Sequence, residues 1–66
     1  MITLYTTHCP KCDILKKKLD SKNIKYKEIS DIDIMIAKGF MSVPLLEVDG
    51  VIMNFLNANE WADKQL

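Results

Sequence analysis

Hydrophobic and polar positions alternate and regroup several times along the 66 residues. Ile2–Thr6 is short, β-rich and follows no helical period, so it predicts a strand. Pro10 suits the first turn of a helix, where its missing N–H costs nothing. Cys12, Leu15 and Leu19 fall at i, i+3 and i+7, while Lys16, Lys17 and Lys18 lie largely off that stripe. The spacing predicts a helix over about residues 10–21, ending near Ser21-Lys22-Asn23. Ile24–Ile29 alternates and predicts a second strand. Ser30, with Asp33 three residues on, predicts the cap of a short helix, and Gly39 is its natural stop. Leu45–Val48 and Val51–Met53 read as two strands, and the Asp49-Gly50 between them is a strong hairpin signal. Asn57 with Glu60 resembles a capping box, predicting a last helix through about Lys64.

The order β-α-β-α-β-β-α limits the topology. The first βαβ unit demands a parallel pair with a right-handed crossover, and the hairpin adds an antiparallel pair. The expected architecture is an α/β/α sandwich around a four-stranded mixed sheet. There are no repeats or linkers, so residues 1–66 are expected to form a single domain.

Composition narrows what such a domain can do. A hydrophobic fraction of 48% is too apolar for disorder. One core of this size supplies only about 3–5 kcal/mol, which leaves room for one small site and a partner face. The longest apolar run is Ile34-Met35-Ile36-Ala37, far short of the about 20 residues a membrane helix needs. Met1 leads straight into the first strand with no export signal, so a cytoplasmic protein without membrane association is expected. Nine lysines balance nine acids, which argues against nucleic acid as a partner. The charge is uneven, however. Residues 1–27 hold seven Lys and two Asp, whereas residues 28–66 hold two Lys and seven acids. Either the first helix is simply solvated by its lysines, or a basic rim steers an acidic partner.

The two cysteines carry the chemistry. A secreted scaffold of this size usually has four or more, and a Cys9–Cys12 bridge would stabilise weakly, by about 2 kcal/mol in the chain-entropy model. Cys9 falls at the start of a helix, where free N–H groups and the helix dipole favour a thiolate. Lys11, and His8 when charged, act in the same direction. Cys12 lies one turn on, within disulfide reach and on the apolar stripe, where burial holds its thiol in reserve. This asymmetry predicts Cys9 as nucleophile and Cys12 as resolving thiol. His8 reads better as a loop surface residue than as a base. The competing chemistry is metal binding. A closed zinc site needs four ligands, which one chain does not offer, so the rival is a dimeric metal or iron–sulfur module bridged by Cys9 and Cys12. Met35, Met41 and Met53 read as core fillers or edge contacts. Phe40 and Phe55 read as either core or apolar patches around the site.

Leu4-Tyr5-Thr6, Cys9-Pro10-Lys11-Cys12, the Val43-Pro44 after a short second helix, and Asp49-Gly50 together resemble the glutaredoxin family of the thioredoxin superfamily. That family includes the small redoxins that serve ribonucleotide reductase. The resemblance spans essentially the whole chain. It implies a thioredoxin-like fold, dithiol–disulfide oxidoreductase activity, a cis Pro44 beside the disulfide, and a Val43 backbone that pairs with an extended substrate. Val43 and Pro44, with Lys11, thus become expected substrate-binding residues. The implied partners are disulfide-containing proteins, with glutathione or thioredoxin reductase as electron donor. No tightly bound cofactor and a monomeric state are expected. Three elements that grip glutathione in the family are altered: Lys11 replaces an aromatic residue, Thr6 replaces a Lys or Arg, and Asn54-Phe55-Leu56-Asn57-Ala58 replaces a Gly-Gly and acidic stretch. Lys11 can restore one lost charge, and the helix start near Asn57 can hold a carboxylate.

Overall fold

A computed structural model describes residues 1–65. In chain order the elements are β1 (Ile2–Tyr5), α1 (Pro10–Ser21), β2 (Lys27–Ile29), α2 (Ile32–Ala37), β3 (Leu45–Val48), β4 (Val51–Met53) and α3 (Phe55–Asp63). The sheet order is β2-β1-β3-β4. β1 pairs parallel with β2 and antiparallel with β3, and β3 pairs antiparallel with β4. This is the mixed four-stranded sheet expected from the sequence, and it is compatible with a thioredoxin-like α/β fold.

Side-chain alternation assigns the two faces. Leu4 and Leu46 are register partners, and both are buried with Leu15 and Leu19 of α1 and Ala58 and Ala62 of α3. Tyr5 and Leu45, the next pair, point the other way and are buried with Met35 of α2. Ala58 and Ala62 lie at i and i+4, and small side chains there let α3 approach α1 closely. A salt bridge from Lys18 Nζ to Asp63 Oδ1, at 2.7 Å, ties the exposed ends of these two helices. The ammonium holds the Asp63 carboxyl below the usual carboxylate range.

Both longer-range helix exits are Schellman turns. After α1, Asn23 adopts φ 57°, its N–H reaches Asp20 O, and the Ile24 N–H donates to Leu19 O at 3.0 Å. After α2, Gly39 adopts φ 78°, and the Phe40 N–H donates to Met35 O at 3.0 Å. Each turn delivers an apolar residue to a core: Ile24 to the α1/α3 side and Phe40 to the α2 side. The first of them also shortens β2. The expected strand at Ile24–Ile29 begins only at Lys27, because the Ile24 N–H is spent on the helix exit.

Two caps differ from expectation. α2 is capped by Asp31, not Ser30, with Asp31 Oδ1 accepting from the Asp33 N–H at 2.9 Å. α3 begins at Phe55, with Asn54 as the cap and its Oδ1 accepting from the Asn57 N–H at 2.9 Å. Starting the helix there, two residues ahead of Asn57, brings Phe55 and Ala58 onto the buried face. The hairpin is as expected: Asp49 and Gly50 have φ of 50° and 86°, the two positive values that a type I′ turn requires. Among the described residues no helix is long and apolar enough to cross a membrane.

Candidate functional site

Cys9 is the N-cap of α1. Its backbone is extended (φ −72°, ψ 167°), and Cys9 Sγ accepts the Cys12 backbone N–H at 3.2 Å. The first helical N–H groups otherwise lack intrahelical partners, so the outer sulfur sits where the helix offers positive charge. Pro10 occupies the first helical position. Cys9 and Cys12 are joined as a disulfide with Cα atoms 4.9 Å apart. Their exposures differ as the apolar stripe predicts. Cys12 is only 1% exposed, among the buried residues of α1, whereas Cys9 is half-buried at the surface.

The loop before Cys9 is braced from below. Thr6 is 2% exposed, and its Oγ1 accepts the His8 backbone N–H at 3.0 Å. His8 adopts φ 63°, a left-handed conformation that histidine seldom takes. Its imidazole is exposed and lies 3.7 Å from Glu28 of β2, on the oxygen not used by Lys16, which approaches the other at 2.9 Å. Glu28 raises the Lys16 pKa above its ordinary value, by hydrogen bond first and by charge second. His8 is therefore a surface residue turned toward the sheet edge, as the sequence suggested.

Lys11, Val43 and Pro44 come together. With Ser42, Asn54, Phe55 and Leu56 they line a groove of about 330 Å³ at the N-terminal ends of α1 and α3. The Lys11 ammonium lies 5.8 Å from the centre of the Phe55 ring, a cation–π distance. The Val43–Pro44 peptide is cis, as the resemblance implies. The Val43 backbone makes no hydrogen bond among the described residues. Phe55 thus contributes to the site, whereas Phe40 closes edge-to-face on Tyr5 at 4.9 Å, in the α2-side core. Met35 is buried as a core filler, and Met41 is fully exposed.

The sequence reading missed two contributors. Thr6 registered only as the end of a strand and a departure from the family pattern; its buried hydroxyl brace carries no local sequence signal. Asn54 was overlooked because Asn57 and Glu60 offered a rival cap. Among the described residues no three His, Cys, Asp or Glu side chains gather as a metal-ligand cluster. No protein-family model and no curated protein matches this sequence.

Proposed function

We propose that the chain is a glutaredoxin-type thiol–disulfide oxidoreductase that reduces protein disulfides through Cys9 and Cys12. The observation that carries this reading is the asymmetric pair at the tip of α1: an outer sulfur on the helix amides and an inner one buried a turn further on. In the reduced form the Cys9 thiolate attacks a substrate disulfide. A Cys9–substrate bond forms, the substrate S–S bond breaks, and the departing thiolate takes up a proton. Cys12 then loses its proton and attacks Cys9 Sγ. The second substrate thiolate leaves and is protonated, and the Cys9–Cys12 disulfide is restored. Two electrons pass to the substrate, whose two thiolates take up one proton released by Cys12 and one from solvent. Two glutathione thiols, or the dithiol of a flavoprotein reductase, return the electrons. The same reading assigns the protein to the reducing cytoplasm.

Lys11 supplies positive charge beside the nucleophile, and the unpaired Val43 backbone is available to an extended substrate. Cys9→Ser should abolish reduction of protein disulfides, and Cys12→Ser should accumulate mixed disulfides visible by mass spectrometry. Turnover of protein disulfides by Cys12→Ser at the parent rate would overturn the two-thiol cycle. Turnover with glutathione and its reductase, compared with thioredoxin reductase, identifies the donor.

A further inference from the structure

Val43 divides two grooves. One is the groove already described, which carries Lys11. The other, about 190 Å³, lies on the α2 side and is lined by Thr7, Ile32, Met35, Ile36, Phe40, Met41, Ser42 and Val43. Ser42 and Val43 belong to both linings. Thr7 brings the second groove within two residues of Cys9.

The second groove is apolar and open. Met41 is 99% exposed, Ile36 67% and Ile32 59%. Side chains of this size together on a small monomer are poorly accommodated by water. Lys11 is the only charged residue in either lining. Neither lining includes a carboxylate, although the chain has nine acids. Lys11 lies over Phe55 in the first groove, and Lys38 lies 5.9 Å from the centre of the Tyr5 ring, behind Phe40 of the second. Among the described residues neither lysine forms a salt bridge.

We propose that the two grooves form one recognition surface for an extended segment of a partner protein. The reacting cysteine of that segment sits over Val43, with apolar side chains in the α2 groove and acidic ones on the Lys11 side. This rests on the reading of Cys9 as nucleophile and names the substrate class for it. The unpaired Val43 backbone supplies the strand pairing, the α2 groove takes the apolar side chains, and Lys11 provides the charge match.

The test uses short peptides whose single Cys is disulfide-linked to a small uncharged thiol. In one set Leu-Phe lies on one side of the Cys and Glu-Glu on the other, in both orders. The companion sets replace Leu-Phe with Ser-Ser or Glu-Glu with Lys-Lys. The reduced protein should favour the better order of the apolar–acidic peptide over the Ser-Ser peptide by about tenfold in kcat/KM, the scale of discrimination an apolar pocket gives. The Lys-Lys peptide should be slower still. The double variant I36S/M41S should lose the preference for Leu-Phe, and Ile14→Ser, at an exposed apolar position of α1, should keep it.

Binding is read separately from chemistry by titrating peptides that carry Ser in place of Cys. Amide signals of Thr7, Ile36, Met41 and Val43 should move. Equal rates on all peptides, or amide shifts confined to β4, would overturn the recognition surface while leaving disulfide reduction intact. Failure to reduce any peptide, or bis(2-hydroxyethyl) disulfide, would instead overturn the oxidoreductase reading, and the titration would still decide the surface. A wild-type dimer that I36S/M41S converts to a monomer would assign the α2 groove to a second copy and overturn the proposal.

Discussion

The two faces of the sheet are built to different standards. On the α1/α3 face, Leu4, Leu15, Leu19, Leu46, Ala58 and Ala62 are all fully buried, and the helices are cross-tied by Lys18 and Asp63. On the α2 face only Tyr5, Met35 and Leu45 are buried, while Ile32, Ile34 and Ile36 of the same short helix stand exposed. The first face completes its packing within the molecule. The second leaves apolar surface open around a groove that Thr7, two residues before Cys9, helps to line. The contrast separates what holds this small chain together from what meets a partner.

The sharpest way to break that contrast is a pair of truncations. Leu15→Ala should cost about 3–5 kcal/mol, the usual toll for a fully buried leucine, which approaches the whole stability of a chain this short. Ile36→Ala should change stability by less than about 0.5 kcal/mol. Urea unfolding of both variants measures the difference, and equal losses would dissolve the distinction between the faces.

Thr6→Val tests the join between core and site. It keeps the shape of the side chain but removes the acceptor for the His8 N–H, so a loss of about 1–2 kcal/mol is expected. Thr6→Ser should recover most of it. A neutral Thr6→Val would mean that the loop before Cys9 needs no brace.

Smaller effects come from the end of α3. Asn54→Ala removes the cap and should cost about 1 kcal/mol. Asn57→Ala should cost clearly less, because only the Asn57 backbone takes part in the cap. The reverse ranking would restore the capping-box start.

The smallest effect is a pH dependence on the packed face. Burial first, then the hydrogen bond to Asp20, pushes the Tyr26 phenol up to about 12. The folded chain therefore keeps this proton after an unfolded tyrosine has lost it at about 10. Stability from Tyr26 is complete below that value and declines as pH rises from about 10 towards 12. Ultraviolet titration should show the late phenolate, and Asp20→Asn should bring it earlier. Asp63 works in the opposite direction: its lowered pKa contributes at neutral pH and is lost on acidification.

Much of the architecture was legible because single residues punctuate the chain unambiguously. Pro10, Asn23, Gly39 and Asp49-Gly50 mark a helix start, two helix exits and a hairpin, each through a backbone preference that acts locally. The apolar stripe Cys12–Leu15–Leu19 likewise foretold which cysteine is buried. The two misplaced caps involved a choice between nearby residues of similar chemistry. Ser30 and Asp31, or Asn54 and Asn57, can each cap a helix, and packing decides between them. The length of β2 depended on where the Ile24 N–H was spent. Within the candidate site, Cys9, Cys12, Lys11, Val43 and Pro44 were named from sequence. The gathering of Lys11, Val43 and Pro44 with Phe55 and Asn54, and the α2 groove across Val43, arise from loops brought together by the sheet. No spacing along the chain records such a meeting.

The most direct test of the central claim is the pH dependence of alkylation of the reduced protein, followed at each cysteine by mass spectrometry. Cys9 should reach half-maximal reactivity below the free-cysteine value of about 8.5, with Cys12 reacting later and more slowly. A Cys9 that ionises no more readily than free cysteine, or a Cys12 that reacts first, would contradict the account.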